Sequence, residues 1–351
     1  MESQDYRRSA SWRLAVTYNT GDSLRPMEPY VLLPENILRQ FIDACAVYAE
    51  YRRVKADASR YSGGMYWKAQ GPYEYLVRTT SDNRQIRLGP RTAATENDYN
   101  NFKSNKGAVE TRLRHLRDAA KEAERVNKAL RVGSVPPSVV NFLARLEDAR
   151  VADVFITVGS AAMFAYEARA GVRISKAALS AGVTGRLDRT LNGIRVLVDE
   201  ATSDDALLPI LKLAEKSYRW KDAPCLVAVD ERGFEVECLR RSNLHLNSSV
   251  APRSKAGNLT STRSSADDPV LADEKLEQII VSSTGRMATM RALRPEIFIE
   301  LNNSISGGIV TSGAEHSGHE LLEARLVRRL IDDGLLETLE FPEHASRGEH
   351  T

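Results

Sequence analysis

The sequence predicts an α+β protein, and three stretches of the 351-residue chain carry that prediction. Residues 106–131 place apolar side chains at steps of three or four, which is typical of a long amphipathic helix. Residues 151–158 are rich in β-branched residues and end at Gly159-Ser160, before a second helical pattern. Residues 225–239 contain two short strand patterns around an Asp-Glu-Arg-Gly loop, as in a hairpin. We therefore expect helices around a small mixed sheet.

Composition excludes several classes of protein. Lys and Arg number 49 and Asp and Glu 47, so the net charge of +2 does not by itself favour a nucleic-acid or membrane partner. Cys45, Cys225 and Cys238 are too few and too scattered for a disulfide framework. His316 and His319 are not spaced as on a zinc-binding helix, and we expect them to be structural or solvated. Neither a secretory signal nor a membrane-spanning run is visible, so we expect a cytoplasmic protein.

The N-terminal half is predicted to be mainly helical. Residues 1–29 show no sustained periodicity and are treated as an arm. Residues 30–148 are expected to form a helical domain whose first helix starts near Pro34, where the missing N–H group of proline costs little. Glycines and aromatic residues between 61 and 78 indicate a β-hairpin inside this domain. A shorter helix is expected from Val139 to Leu146.

Residues 149–241 are predicted to form the α+β core. After the strand that ends at Val158, helical periodicity resumes at Ala161 and stops at Gly171, a typical residue after a helix end. A further strand is expected at residues 194–198 and a helix from Asp205 to Tyr218. Together with the hairpin, these elements alternate as in an α+β domain.

Three segments follow the core. Residues 242–270 are rich in Ser, Asn and Thr and are predicted to be a mobile basic loop. Residues 271–342 are expected to contain a strand near 276–282 and helices. Residues 343–351 are predicted to be a frayed tail.

Several short motifs occur in order between about residues 30 and 310. They include Gly63-Gly-Met-Tyr-Trp-Lys68, Leu88-Gly-Pro-Arg91, Val158-Gly-Ser-Ala-Ala162, Ala170-Gly-Val-Arg173 and Gly233-Phe-Glu-Val-Glu237. In this order they resemble a bacterial family of nucleotidyltransferase-fold proteins. That family has an N-terminal helical extension, a small polymerase-β-like core and a helical C-terminal part. The first motif is the most specific piece of the resemblance.

The resemblance implies a site for a nucleoside triphosphate and magnesium. In such proteins the backbone N–H groups of a Gly-Ser turn hold the triphosphate, and carboxylates on neighbouring strands hold two magnesium ions. Gly159 and Ser160 match this turn. Phosphoryl transfer depends on positioning and on cations that offset the charge of the transferring group, so the carboxylates are required for transfer.

The expected carboxylate set departs from the family pattern. The first two carboxylates of the family are two residues apart on a strand, which directs both side chains to one face. In the matching stretch Asp188 takes the second position and Arg186 the first, while Glu237 matches the third carboxylate. Arg186 would weaken magnesium binding, because a unit charge at ~4 Å is worth about 4 kcal/mol at an effective dielectric constant of ~20. It could instead bind phosphate or pair with a carboxylate, and Glu167 or Asp199 could replace the lost ligand.

Three functions are compatible with the sequence. One is transfer of a nucleoside monophosphate to an unknown acceptor, which would be a protein, an RNA or a small molecule. The second is a catalytically degenerate module that binds a nucleotide or a partner. The third is nucleic-acid binding by the helix at 103–131, with nine basic and four acidic residues, and by the loop at 240–263, with five basic residues and no acidic one.

Overall fold

The computed structural model describes residues 28–175, 192–198, 201–222, 226–240, 275–307 and 317–337. Within them the structure confirms the predicted α+β class. The chain divides into two compact units. Unit 1 comprises Met1–Leu33, Asn141–Ile280 and Thr289–Thr351, and unit 2 comprises Pro34–Val140 and Val281–Ala288. Among the described helices, none combines the length and the apolar character needed to cross a membrane.

Seven helices and twelve strands lie within the described residues. The helices are α1 (Glu35–Ala58), α2 (Ala93–Ala129), α3 (Pro137–Ala149), α4 (Met163–Ala170), α5 (Asp204–Ala214), α6 (Pro295–Gly307) and α7 (Ser317–Asp332). The strands are β1 (Tyr30–Leu32), β2 (Gly64–Gln70), β3 (Tyr73–Thr79), β4 (Gln85–Pro90), β5 (Phe155–Val158), β6 (Val172–Ile174), β7 (Gly193–Val198), β8 (Arg219–Asp222), β9 (Val227–Val229), β10 (Glu235–Arg240), β11 (Lys275–Val281) and β12 (Met287–Leu293).

Unit 2 is built on the antiparallel helices α1 and α2. Gln40 Nε2 donates a hydrogen bond to Asn127 Oδ1 at 3.1 Å, whereas Glu50 contacts Arg112, so the start of α1 lies beside the end of α2. Apolar side chains spaced three or four residues apart on α1 are buried against this neighbour. They are Phe41, Ala44 and Tyr48.

Helix α2 begins well before residue 106, where the sequence predicts its start. Thr92 caps the helix: its side chain accepts from the backbone N–H of Thr95 at 3.3 Å. In return Thr95 Oγ1 accepts from the backbone N–H of Thr92 at 2.9 Å. This reciprocal capping box satisfies two N–H groups and nucleates a first stretch in which apolar periodicity is weak.

A three-stranded antiparallel sheet, in the order β2-β3-β4, completes unit 2. The hairpin predicted between residues 61 and 78 corresponds to β2 and β3, and β4 extends it. Gly63 precedes the sheet with a φ of +82°, a conformation that favours glycine. An added Cβ atom there would lie 2.0 Å from the carbonyl oxygen of Thr79, so the hairpin needs glycine for space as well.

The main sheet has seven strands in the order β11-β12-β5-β7-β10-β9-β8. Strand β5 is antiparallel to β7, and β7 is parallel to β10. All four residues of β5 are buried, as their continuous apolar pattern indicates for a central strand. The fully buried ring of Tyr166 packs on Phe298 with 5.1 Å between centroids, which joins α4 to α6. Helix α4, which follows the end of β5, is thereby held against α6.

Candidate functional site

The first part of the site is the turn at the end of β5. Gly159 has a φ of +65°, a left-handed conformation that lets the chain leave the buried strand and enter the helical segment leading to α4. No side chain caps the start of this helical segment with a hydrogen bond. Gly159 and Ser160 are half-buried. Such a turn directs backbone N–H groups toward an incoming anion. The structure shows Gly159 and Ser160 in the turn after β5, and their binding of phosphate stays a prediction.

The second part is an arginine beside this turn. Strand β7 lies between β5 and β10, and its Arg195 is aligned with Val158 on one side and Glu237 on the other. Arg195 Nε donates a hydrogen bond to Glu237 Oε2 at 2.7 Å. A Cβ atom built on Gly159 would lie 3.4 Å from Arg195 Cδ, so the arginine stem lies against the turn. A permanent cation thus stands next to the candidate phosphate site.

Helix α7 contributes the third part. Arg195 Nη1 lies 3.5 Å from Oε1 of the buried Glu320, whose Oε2 atom has no hydrogen-bond partner among the described residues. One turn later Glu323 is only 1% exposed, and its Oε1 atom is 3.0 Å from His319 Nδ1. Asn302 Nδ2 donates to Glu323 Oε2 at 3.4 Å. The arginine therefore faces an acidic helix whose buried charges are partly neutralised.

Electrostatics favour the charged forms of the two basic side chains in this cluster, Arg195 and His319. Burial acts to lower the pKa of Arg195, but the charge and hydrogen bond of Glu237, with Glu320 and Glu323, raise it overall. The hydrogen bond to Glu323 raises the pKa of His319, and this outweighs the opposing effect of burial. When His319 is protonated, its charge offsets part of the negative charge on α7.

The predicted metal ligands are only partly described. Glu237 lies on β10 and is paired with Arg195, whereas Asp188 and Arg186 lie outside the described residues. Alternation along β7 places Gly193 on the same face as Arg195, so neither of these positions offers a carboxylate beside Glu237. Within the described part of the chain, no three His, Cys, Asp or Glu side chains are grouped to hold a metal ion.

Of the two suggested replacement ligands, Glu167 is described and does not join this cluster. The buried Glu167 accepts a hydrogen bond from the backbone N–H of Ile174 at 2.7 Å, and its carboxylate lies 3.8 Å from the guanidinium of Arg173. Both partners belong to β6, so Glu167 stabilises the strand that pairs with β1. Asp199 lies outside the described residues. Glu167 therefore has a structural role.

The sequence did not indicate the roles of Arg195, Glu320 and Glu323, whereas His319 was expected to be a structural or solvated residue. Arg195 did carry a signal, since it is the one charged residue in the apolar run 193–198. A charge inside a β-branched run indicates a strand with one polar face. Glu320 and Glu323 had no comparable signal, because an acidic residue on an amphipathic helix is ordinarily solvated.

Comparison with known proteins gives one match. The model of a protein family described as nucleotidyltransferase matches residues 138–327. This range includes the Gly159-Ser160 turn, β7, β10 and the part of α7 that ends at Val327 and contains Glu320 and Glu323. The comparisons with curated proteins and with solved structures give no match.

Proposed function

The chain belongs to this nucleotidyltransferase family, and from that premise we propose that unit 1 binds a nucleoside triphosphate. The observation that carries the proposal is the uncapped turn at Gly159 and Ser160 with Arg195 lying against it. The turn offers backbone N–H groups to the phosphates, and the guanidinium offers charge and paired donors. The larger kinship with polymerase-β-like enzymes, a bacterial source and a cytoplasmic location stay predictions from the sequence.

The described residues do not fit a two-magnesium site. Magnesium prefers carboxylate oxygens in an octahedral arrangement, and two ions need several such ligands. Here Glu237 is hydrogen-bonded to Arg195 of β7. The other nearby position on the same face of β7 is Gly193, which has no side chain to bind a metal. A divalent cation beside the guanidinium would be repelled, by about 4 kcal/mol per unit charge at ~4 Å and an effective dielectric constant of ~20. We therefore propose nucleotide binding that does not require magnesium.

Metal-dependent transfer of a nucleoside monophosphate is the competing candidate, and family membership favours it. In that case Asp188 and Glu237 would hold the magnesium ion, which would offset charge on the transferring phosphoryl group. The acceptor would be a protein, an RNA or a small molecule. Arg186 would then be a phosphate ligand, which is one of the two roles that the sequence leaves open for it.

Calorimetric titration separates the two candidates. The protein is titrated with ATP, GTP, CTP and UTP, once with magnesium and once with EDTA. We expect at least one nucleotide to bind with similar affinity in both conditions. Arg195→Ala should weaken binding roughly tenfold or more, since a charged hydrogen bond is lost, and Arg195→Lys should weaken it less. Arg39→Ala, in an exposed ion pair of unit 2, is the matched control.

Two other outcomes would contradict magnesium-independent binding. Binding only with magnesium, together with labelled-nucleotide transfer that Asp188→Ala abolishes, would establish the competing candidate. Absence of binding for all four nucleotides in both conditions would refute nucleotide binding by the wild-type chain. Melting curves of Arg195→Ala and Arg195→Lys show whether each variant is folded before its affinity is interpreted.

A further inference from the structure

One face of the three-stranded sheet in unit 2 has a composition that the nucleotide site does not explain. Cross-strand partners in an antiparallel sheet point to the same face. The register pairs Tyr66 with Val77, Lys68 with Tyr75 and Gln70 with Tyr73, while Arg87 is the partner of Val77 on the third strand. We name this surface the tyrosine face. Its defining residues are Tyr66, Lys68, Tyr73, Tyr75 and Arg87.

The opposite face of the sheet packs on helix α2. Trp67 contacts Tyr99 with 5.8 Å between ring centroids, and the Arg78 guanidinium lies 5.5 Å from the centre of the Phe102 ring. Leu76, on the same side as Trp67, is fully buried. The sheet therefore already has its core on that side, and packing on α2 does not account for aromatic residues on the tyrosine face.

Tyr66 and Tyr73 of the tyrosine face are exposed, although Val77, the cross-strand partner of Tyr66, is buried. Tyr73 is 63% exposed and Tyr66 is 37% exposed, although both belong to regular strands. The Tyr75 ring lies between them in the register and is covered by the Arg87 guanidinium, 3.2 Å from the ring centre. Arg87 Nη1 also donates to Gln70 Oε1 at 3.4 Å. These contacts hold the guanidinium against the Tyr75 ring, and no cation is seen over the rings of Tyr66 and Tyr73 among the described residues.

The charge of this face has a single sign. Lys68 and Arg87 are exposed, and the cross-strand set from Gly64 to Pro90 contributes no acidic side chain to this side. Exposed rings of this kind stack on any base, and basic side chains between them track a phosphate backbone. A base-paired duplex hides its base faces, so it would offer phosphates alone to this surface.

We propose that the tyrosine face binds single-stranded nucleic acid, with bases stacked on Tyr66 and Tyr73 and phosphates held by Lys68 and Arg87. Recognition by stacking on a sheet needs no reading of base edges, so binding is expected to tolerate many sequences. All residues of this face belong to unit 2, whereas the proposed nucleotide site is built from residues of unit 1.

Fluorescence anisotropy of the full chain with a labelled oligouridylate of about 12 nucleotides tests the proposal, since single-strand-binding sites span roughly 4–16 nucleotides. Tyr66→Ala and Tyr73→Ala should each weaken binding roughly 5- to 100-fold, while Tyr73→Phe should bind like the wild type because the ring remains. Lys68→Ala should reduce the slope of log affinity against log salt by about 0.7–1. Arg195→Ala should leave this affinity unchanged, which separates the result from the nucleotide proposal.

Ile42→Ala, which truncates another exposed apolar side chain of unit 2, is the matched control and should bind like the wild type. No binding by the wild type at low salt would overturn the proposal. Equal affinities of the wild type and the two alanine variants would overturn it too, as would a Tyr73→Phe variant that binds as weakly as Tyr73→Ala. If sedimentation shows a wild-type dimer that Tyr73→Ala dissociates without any effect on the oligonucleotide, the face pairs copies of the chain instead.

Discussion

Arg195 Nε donates a hydrogen bond to Glu237 Oε2 across two neighbouring parallel strands, with 2.7 Å between the atoms. Each side chain is 37% exposed, so water screens the pair. A partly exposed ion pair contributes at most about 1 kcal/mol, and it can open when a better partner arrives. A triphosphate, with several charges and bidentate oxygens, is such a partner for a guanidinium. The pair is therefore compatible with a phosphate site in which Glu237 binds the Arg195 guanidinium when no ligand is present.

Glu237→Gln tests this competition. The substitution removes a negative charge that both repels phosphate and holds Arg195, so nucleotide affinity should rise roughly two- to fivefold, the range of ~0.5–1 kcal/mol for a partly exposed charge. Calorimetric titration in EDTA measures it. Glu235→Gln, on the same face but bonded to Lys221, is the control and should change affinity less. A loss of binding in Glu237→Gln that appears only with magnesium would instead identify Glu237 as a metal ligand.

Arg195→Asp should convert the cluster into a divalent-cation site. Aspartate would place a third carboxylate beside Glu237 and Glu320, and without a cation these like charges should lower the melting temperature. Magnesium or manganese should restore it, because a bound ion stabilises the folded state. Arg195→Asn loses the same ion pair without adding a charge, so the ion should not stabilise that variant.

The same measurement on Arg186→Asp tests where the missing carboxylate belongs. The sequence assigns the first ligand position to Arg186, whereas Arg195 is the residue that lies beside Glu237 on the described strand. Stabilisation by magnesium in Arg195→Asp alone would favour the strand position. Stabilisation in Arg186→Asp alone would contradict our expectation and favour the position read from the sequence.

Local patterns predicted much of this fold because they depend on short-range chemistry. The β-branched run before Gly159 predicted β5 and its turn, and the Asp-Glu-Arg-Gly loop predicted the hairpin of β9 and β10. Strand β12 was missed: its sequence MATMRAL has little β-branched character, and all but one of its residues are buried, so alternation is hidden. Strand β8, the short and mostly exposed edge of the sheet, had no apolar run to indicate it.

The site was predicted only where its residues are close in sequence. Gly159 and Ser160 form one turn, and Glu237 lies on a predicted strand. Arg195 and Glu320 are 125 positions apart in the sequence. Only the packing of unit 1 brings them into contact, and a local sequence pattern does not show it. Helical periodicity predicted a helix at α7, but periodicity alone does not show which other strands and helices contact its acidic residues.

His319 should make the stability of unit 1 depend on pH. Its hydrogen bond to Glu323 raises its folded pKa above the ordinary value of about 6.5. The protonated form therefore stabilises the fold fully below that ordinary value, and this contribution is lost as pH rises through the raised folded pKa. Urea unfolding between about pH 5.5 and 8.5 should show a steeper decline in the wild type than in His319→Gln. His115→Gln, an exposed site on α2, serves as the control, and parallel curves for wild type and His319→Gln would exclude this linkage.

Tyr166→Phe isolates one buried hydrogen bond in the core behind the site. Tyr166 donates its hydroxyl proton to the carbonyl oxygen of Leu293 at 2.8 Å, and its side chain is fully buried. Phenylalanine keeps the ring on Phe298 but leaves the carbonyl without this donor, so the free energy of unfolding should fall by about 1–3 kcal/mol. Chemical denaturation followed by far-UV circular dichroism measures the change. Tyr73→Phe, at an exposed hydroxyl, should have no comparable effect, and equal stabilities for Tyr166→Phe and the wild type would show that the bond contributes nothing.

Glycine should be required at position 63 for the hairpin itself, whatever the sheet binds. Gly63 has a φ of +82°, and an added methyl group would lie 2.0 Å from the Thr79 carbonyl oxygen. A left-handed non-glycine residue costs about 1–3 kcal/mol, and the overlap adds to this, so Gly63→Ala should destabilise unit 2 by more than that amount.

The control is Gly107→Ala, at an exposed position inside α2 with open space around it, which should stabilise the helix by about 0.5–1 kcal/mol. Hydrogen exchange of peptides from β2 and β3 reads the local effect: faster exchange in Gly63→Ala and unchanged exchange in Gly107→Ala are expected. Wild-type protection in Gly63→Ala would mean that this turn tolerates a side chain and that its glycine is not required for the hairpin.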